Sequence, residues 1–295
     1  MAKISNSSLT KKLTPRQERR GKQRAINILR AKKMHQLRID AFHEAPQEHK
    51  LPKVNIGCSG WFYWHWRGYF YPRSLPTKEW FKAYRKKFRT VELNAPFYSW
   101  PTLGTVRAWQ RQAGYEDFIY TVKVTELITH IKKFKNTKVL VDDFGYIAKL
   151  LGARMGCLIF QLPPSYDYKP SRLKSITSQL DPNLRNVVEF RHASWWNEKV
   201  YKAFEKANII FCSCSAPGLP DDLIKTTDEV YIRFHGRDKW YRYNYSKKEL
   251  QEWVEKIKAS GAKRLWAYFN NDYYGYAPKN AKAIDKHLKM EKILQ

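Results

Sequence analysis

Eight short runs rich in β-branched and aromatic residues recur along the chain from residue 54 onward. Segments able to form helices follow most of them, and a repeated unit of strand and helix builds a parallel sheet. Eight such units in about 240 residues predict an α/β fold, a (β/α)8 TIM barrel. The eight runs are 54–59, 90–94, 118–124, 156–162, 186–191, 208–214, 229–235 and 264–270.

The segment after the seventh run carries the clearest helix signals. Ser246 and Glu249 have the spacing of a capping box, and Gly261 stands where a helix would end. Between them, apolar residues recur every three or four positions, as on the buried face of a helix. This segment therefore predicts one of the outer helices of the barrel.

Alternate residues of a strand point to opposite faces, so each run has an apolar face and a mixed face. In the run 229–235, Arg233 and His235 share the mixed face with Tyr231. Because the apolar face must lie against the helices, we predict that the mixed face points into the barrel. Most of the polar residues on such faces lie near the carboxyl ends of the strands, where barrel active sites occur. They are Glu92, Asn94, Thr121, Lys123, Gln161, Glu189, Arg191, Tyr268 and Asn270.

The sequence carries 55 Lys and Arg against 27 Asp and Glu, a net charge of +28. Such an excess favours polyanionic partners, above all nucleic acid, although the same charge spread evenly would only solvate the surface. The first 50 residues hold 13 Lys and Arg but 4 Asp and Glu. We predict a basic, helical N-terminal extension over residues 1–52 and the barrel over residues 53–295.

The helix in this extension is predicted from residues 22–45, which contain no Gly or Pro and have apolar residues at roughly helical spacing. Two roles stay open for it. It could lie on the phosphates of a nucleic acid and fold as it binds, or it could be a solvated tail that docks on the barrel or has no role.

No apolar run is long enough to cross a bilayer, and the first residues lack the apolar stretch of a secretory signal. Four scattered cysteines are too few for a disulfide framework in a chain of 295 residues. We therefore expect a cytoplasmic protein with reduced thiols and no membrane partner. The sequence leaves the oligomeric state open.

Six motifs in a fixed order resemble the YecE-like family of TIM-barrel proteins, also named domain of unknown function 72. The resemblance runs from Lys53 to His287 and leaves out the basic extension. Ala95 departs from it, because family members often carry a small hydroxyl residue there. The motifs are IGCSGWFYWHWRGYFYP, TVELNAPFYSWP, LIFQLPPSY, VVEFRHASWW, VYIRFHG and AYFNNDYYGYAPKNA.

The resemblance implies a barrel with a site at its mouth, and no particular reaction. The family is similar in architecture to barrel endonucleases and sugar isomerases, so a role with nucleic acid follows by analogy alone.

Three of the predicted inward residues are cations: Lys123, Arg191 and Arg233. Arg offers a planar fork of donors and Lys a point charge, and these groups hold phosphate or carboxylate. An anion is therefore the predicted ligand.

Glu189 is the predicted acid–base residue, with His235 as its partner and Glu92 as a second catalytic carboxylate. Burial would raise the pKa of Glu189 and the cations would lower it, so the sequence leaves the sign open. An imidazole can give or take a proton near neutral pH. The structural alternative is that Glu92 pairs with Lys123, and Glu189 with Arg233, without catalysis.

Metal-binding side chains at the mouth are few, and a multinuclear centre needs a denser set of His and carboxylate ligands. We predict no intrinsic metal and no other cofactor, although one loosely held divalent cation stays open. Motifs for phosphate loops, dinucleotides, serine hydrolases and zinc proteases are missing. The ligands in reach are Glu92, Glu189, His235, His192 and Asp272.

The loop after the first run holds more aromatic residues than anchoring requires. Rings interleaved with Arg and Lys are typical of a stacking platform for bases or sugars, although they could instead form a hydrophobic lid over the loops. The predicted stacking residues are Trp61, Tyr63, Trp64, Tyr98 and Trp195.

Together these features predict a mouth that binds or acts on a phosphate-bearing ligand, either nucleic acid or a phosphorylated small molecule. An enzyme of the phosphodiesterase or nuclease type is one interpretation. The alternatives are a non-catalytic RNA- or DNA-binding protein and an isomerase or lyase of a small sugar phosphate. The other predicted pocket residues are Ser59, Asn94, Gln161, His192, Asn270 and Asp272.

Overall fold

A computed structural model describes residues 14–41, 51–114, 117–291 and 293–294. Eight parallel strands alternate with helices in a nearly closed barrel, so the predicted (β/α)8 TIM-barrel fold is confirmed. None of the helices in these ranges is long and apolar enough to span a membrane. The strands are β1 (Val54–Cys58), β2 (Thr90–Leu93), β3 (Ile119–Lys123), β4 (Met155–Gln161), β5 (Asn186–Glu189), β6 (Ile209–Ser215), β7 (Glu229–Phe234) and β8 (Arg264–Phe269).

The helices follow the strands except between β6 and β7, which are joined by residues 216–228 without a helix. The helix predicted after β7 is present as α8, where Ser246 and Glu249 form the capping box. Gly261 lies just past its end with a left-handed φ of 57°. The α-helices of the described chain are α1 (Pro15–Asp40), α2 (Trp80–Arg85), α3 (Ala95–Tyr98), α4 (Leu103–Ala113), α5 (Lys138–Leu151), α6 (Pro170–Thr177), α7 (Glu198–Lys206), α8 (Lys247–Ala259) and α9 (Tyr276–Met290).

The barrel has a seam between β1 and β2, where the strands form no hydrogen-bonded ladder. The hydroxyl of Tyr84 bridges the seam, since it accepts from the Cys58 N–H at 2.9 Å and donates to the Thr90 carbonyl at 3.0 Å. Gly57 permits this approach, because a Cβ there would lie 2.3 Å from the Thr90 oxygen. A side-chain hydroxyl therefore replaces the missing ladder.

Alternate residues of the strands face opposite sides, as predicted. In β7, Val230, Ile232 and Phe234 pack in the core between strands and helices, whereas Tyr231 belongs to a separate core inside the barrel. Aliphatic residues and cysteines of β3 to β6 and aromatic rings of β7 and β8 fill most of that inner core. Beyond this inner core, polar side chains line the barrel towards the carboxyl ends of the strands.

The N-terminal helix begins and ends earlier than predicted. The stretch 22–45 predicted a helix, whereas α1 spans Pro15–Asp40. Thr14 and Gln17 form a capping box at its start, and a proline suits the first helical position because the N–H it lacks would be unpaired there anyway. Residues 42–45 of the predicted helix lie outside the described residues.

α1 packs along α5 on the outside of the barrel, so the described part of the extension docks on the barrel wall. Met34 joins the outer core. Asn27 is buried, donates to the Tyr98 carbonyl at 2.9 Å and accepts from the Trp100 N–H at 3.0 Å. The helix therefore holds the backbone of the loop that follows β2.

Two buried carboxylates complete this interface. Arg24 lies 3.2 Å from Glu126, which follows β3, and Arg38 lies 2.8 Å from Asp143 on α5. Both carboxylates are buried, so loss of either arginine would leave an uncompensated buried charge. Such a loss costs more free energy than the loss of an ordinary surface ion pair.

Candidate functional site

Arg233 forms the centre of a buried charge cluster at the carboxyl ends of β2, β5 and β7. Its guanidinium donates to Glu92 through Nη2 and to Glu189 through Nη1. The Tyr231 hydroxyl donates to the second oxygen of Glu92 at 2.6 Å. Of the two ion pairs weighed from the sequence, Glu189 with Arg233 is present, but Glu92 pairs with Arg233 instead of Lys123.

A second arginine borders the cluster on the mouth side. Arg191 donates to Glu189 through Nε, and its Cζ lies 4.5 Å from the ring centre of Trp240. His235 joins them, with Nε2 at 3.1 Å from Nη2 of Arg191 and 3.4 Å from a Glu189 oxygen. Asn270 lies 3.3 Å from the other ring nitrogen of His235. The structure thus brings these predicted site residues together.

The surrounding charges decide the protonation of Glu189 and His235. Burial alone would raise the pKa of Glu189, but the guanidinium groups of Arg191 and Arg233 outweigh it and hold that pKa well below its usual range. Burial, helped by the charge of Arg191, lowers the pKa of His235 well below its usual range. The carboxylate is ionised and the imidazole is neutral at pH 7, so neither group titrates near neutrality.

Lys123, at the end of β3, is a different kind of cation. Its ammonium lies 4.1 Å from the ring centre of Phe97 and has no carboxylate within 4.0 Å among the described residues. Burial, helped by the charge of Arg233, lowers the pKa of Lys123 to about 7, although Glu189 and Glu92 oppose the shift. This lysine is therefore about half protonated at neutral pH.

His130 is a mouth residue that the sequence did not reveal. Its ring packs edge-on against Phe97, with 4.9 Å between ring centres, and burial followed by the charge of Lys123 lowers its pKa to about 4. The residue stands on a π-helical turn, Leu127–Ile131, directly after β3. Such turns occur frequently at functional sites, but their residues resemble those of an ordinary helix, so no sequence signal was present.

Three buried polar atoms at the mouth have no hydrogen-bond partner among the described residues: Ser59 Oγ, Asn94 Oδ1 and Arg233 Nε. The amide of Asn94 is used across the seam, where it donates to the Ser59 carbonyl at 3.2 Å. Gln161 differs, since it donates to the Leu162 carbonyl at 2.6 Å. An unpaired buried polar group costs about 1–3 kcal/mol, so these atoms mark where a polar ligand would find partners.

Asp272 contacts the first mouth loop rather than the charge cluster. Its carboxylate accepts from the indole N–H of Trp66 at 2.6 Å and lies 2.9 Å from Nε2 of His65. Burial raises the pKa of Asp272 to about 6, although both neighbours oppose the shift. The loop after β8 is thereby tied to the loop after β1.

Most rings of the loop after β1 form a core against α2. Trp66 is fully buried, and Trp61 packs edge-on against Phe81 with 4.9 Å between ring centres. Tyr63 donates its hydroxyl to the Ser59 carbonyl at 2.6 Å. Trp61 and Tyr63 are half-buried. Their stacking on a ligand stays a prediction.

Trp195 corrects the stacking prediction, because its ring is fully buried. It stacks on Phe190 with 3.9 Å between ring centres, and its N–H donates to the Tyr166 carbonyl at 2.6 Å. The short 3-10 turn that ends at Trp195 returns the ring to the end of β5. Residue types in a mouth loop do not reveal such a turn.

The remaining mouth rings differ in exposure. Trp64 and Tyr98 are 63% and 57% exposed and stay available for stacking. Trp240, beside the charge cluster, was missed, although the basic and aromatic run GRDKWYRY was a signal for it. His192 is exposed and accepts from the Ser194 N–H at 3.3 Å, so it caps a turn outside the cluster.

One set of possible metal ligands exists in the described chain, since Glu189, Cys214 and His235 bring ligand atoms within 4.8 Å of one another. Both oxygens of Glu189 already accept from Arg191 and Arg233. A cation there would stand beside two fixed positive charges. The donor set therefore fits a divalent cation poorly, and a loosely held ion stays a prediction.

Known proteins share this architecture. A solved DUF72 family protein from Thermotoga maritima is 30% identical, with a TM-score of 0.72 over 80% of this chain and 99% of its own. A DUF72 family protein from Enterococcus faecalis shares the fold at 18% identity and a TM-score of 0.69, over 80% of this chain and 95% of its own. The UPF0759 protein YunF of Bacillus subtilis is 26% identical over 81% of this chain and 95% of its own.

The family profile described as "Protein of unknown function DUF72" matches residues 55–295, which include every strand of the barrel after the first residue of β1. The match leaves out α1, which packs on the barrel from outside the matched range. The chain therefore belongs to the DUF72 family.

Proposed function

We propose that the mouth of the barrel binds a phosphate-bearing ligand, a nucleotide or a nucleic acid, with Lys123 as the principal contact. The observation that carries the proposal is the charge balance of the cluster. Glu92 and Glu189 neutralise Arg191 and Arg233, whereas Lys123 has no carboxylate of its own in the described chain. An anion would supply the missing negative charge.

The unpartnered atoms favour a ligand with several oxygens. Ser59 Oγ and Arg233 Nε offer donors, whereas Asn94 Oδ1 is an acceptor. The sugar phosphate part of a nucleotide carries both acceptors and hydroxyl donors, so it would satisfy all three. The exposed rings of Trp64 and Tyr98 are available for a base, and the net charge of +28 would draw a polyanion to the molecule.

The proposal gives the two carboxylates a positioning role. Glu189 and Glu92 accept hydrogen bonds from the guanidinium groups and hold them in place while the ligand binds. Lys123 is the group of the cluster whose pKa lies near neutral pH, so acid–base chemistry at this mouth would run through its amine.

Calorimetric titration with a nucleoside 5′-monophosphate tests the proposal. Lys123→Met should weaken binding about 10- to 100-fold, the effect of losing one charge-assisted hydrogen bond. In the wild type, affinity should fall by up to about tenfold per pH unit above pH 7.5, because the free lysine must take up a proton before it binds the dianion. A sugar phosphate titrated in parallel distinguishes the nucleotide from a small metabolite.

Lys123→Arg and Lys206→Met are the matched controls. Arg keeps its charge at every pH used, so this variant should bind the monophosphate without the alkaline loss. Lys206 is an exposed residue on α7, and its substitution should leave the affinity for the monophosphate unchanged. Wild-type affinity in Lys123→Met, or a loss in Lys206→Met of equal size, would refute the proposal.

A further inference from the structure

A second basic surface lies beside the mouth, in a groove between the turn 132–137 and α6. The groove has a volume of about 700 Å³. We call it the β3 groove, because its turn continues the segment that follows β3. Its basic lining residues are Lys132, Lys133, Lys135, Lys138 and Arg172.

The positive charge of this groove is not neutralised from within. Lys138 pairs with Asp142 at 2.6 Å, and Arg172 pairs with Asp167. The exposed side chains of Lys132, Lys133 and Lys135 form no ion pair with any described residue. Three ammonium groups on one short turn, with no carboxylate partner in the described part of the chain, create a strong local positive potential.

The turn that presents these lysines is anchored to the segment around α6 by hydrogen bonds and to the core by a buried ring. Lys133, Phe134 and Asn136 have left-handed backbone, with φ between 49° and 60°, a conformation that costs non-glycine residues about 1–3 kcal/mol each. The Phe134 carbonyl accepts from Ser175 Oγ at 2.7 Å and from Gln179 Nε2 at 2.6 Å, while the Phe134 ring is buried. The lysines are therefore held outward by a fixed backbone.

The groove adjoins the proposed phosphate site along the chain. Lys123 ends β3, the π-helical turn Leu127–Ile131 places His130 at the mouth, and Lys132 follows at once. A ligand with one phosphate can occupy the mouth alone. A ligand that also occupies the groove needs further negative charges along its length.

We infer that the β3 groove binds the phosphodiester backbone of a nucleic acid strand, part of which reaches the mouth. The inference rests on the proposed function for the choice of nucleic acid, but the groove binds independently of Lys123. Backbone contacts through lysines carry little sequence preference, so the predicted signature is a salt-dependent affinity.

Binding of a labelled 20-nucleotide single-stranded DNA over a salt series tests this inference. The triple variant Lys132→Gln, Lys133→Gln, Lys135→Gln should lower the slope of log affinity against log salt by about 2, at about 0.7 for each lost phosphate contact on a single strand. Binding of a nucleoside 5′-monophosphate should stay unchanged. The control removes three exposed lysines of α7, at 199, 202 and 206, and should alter the slope little.

The outcomes separate the two proposals. If Lys123→Met loses monophosphate binding while the triple lysine variant keeps the wild-type salt slope, the β3 groove does not bind nucleic acid and the proposed phosphate site at the mouth stands. If the triple lysine variant has a lowered salt slope but the wild type binds no monophosphate, the proposed phosphate site at the mouth is wrong and nucleic-acid binding in the β3 groove is supported. Equal loss in the α7 control, or polyglutamate bound with the same affinity and slope, would overturn the assignment to nucleic acid.

Discussion

Asp272 shows how burial of a single side chain couples the mouth loops to pH. A carboxyl group whose pKa rises from 3.8 to about 6 on folding stabilises the fold when it is protonated. That stabilisation is fully present below about pH 4 and is lost as pH rises through 6. The contact between the loop after β8 and the loop after β1 should therefore be less stable at neutral pH than at pH 4.

Asp272→Asn tests the effect of this buried carboxyl group on stability. The amide keeps an acceptor for Trp66 but does not ionise, so the variant should gain stability relative to the wild type by up to about 3 kcal/mol between pH 4 and pH 7. Urea unfolding at both pH values measures the difference. If the variant and the wild type differ in unfolding free energy by the same amount at both pH values, the pKa of Asp272 is not raised by folding.

Residues of the charge cluster show what sequence can predict and what it cannot. The inward direction of Glu92, Glu189 and Arg233 follows from strand alternation, which is local and regular. The partner of Glu92 depends on distances across the barrel, so the sequence suggested Lys123 where the structure has Arg233. Trp195 was misplaced for a similar reason, because loop geometry decides whether a ring faces ligand or core.

α1 acts as a clamp on the loops that follow β2 and β3. Asn27 makes two hydrogen bonds to the backbone on either side of Ser99, and Glu126 receives Arg24 just before the π-helical turn. The sequence left a role on nucleic acid and a docked tail open for this helix. The amphipathic spacing of the helix could not distinguish these two roles, because the backbone groups that Asn27 contacts lie more than 70 residues away in the sequence.

Asn27→Ala tests the clamp. The substitution leaves the Tyr98 carbonyl and the Trp100 N–H without their partner, so the free energy of unfolding should fall by about 2–4 kcal/mol. Gln36→Ala, on the exposed face of the same helix, should change it by less than about 0.5 kcal/mol. Equal stability of the two variants in urea unfolding would mean that α1 does not hold these loops.

The sheet of the barrel is a strip of seven ladders whose two ends meet at the seam. Eight runs of residues predicted the number of strands but not this interruption. The seam depends on the close approach at Gly57 and on Tyr84, which stands on a helix and not on either strand. Hydrophobic periodicity contains no information about such a bridge.

Tyr84→Phe tests the closure of the barrel. Loss of the hydroxyl leaves the Cys58 N–H and the Thr90 carbonyl unpaired, so the unfolding free energy should fall by about 1–3 kcal/mol. Amide hydrogen exchange at Cys58 should accelerate more than in the centre of β7. Tyr201→Phe on α7 is the control, and an equal response in both variants would contradict a special role for the seam.

The docking of α1 also fixes the position of part of the positive charge of the molecule. Nine Lys and Arg against two acidic residues belong to this helix. The hydrogen bonds of its Asn27 to the Tyr98 carbonyl and the Trp100 N–H, and its ion pairs with Glu126 and Asp143, hold these charges in the frame of the barrel. A charge distribution fixed in this way gives the protein a permanent electrical asymmetry. A polyanion near the molecule would therefore experience a torque as well as an attraction, and the charge of α1 would favour approaches that bring it to the α1 side.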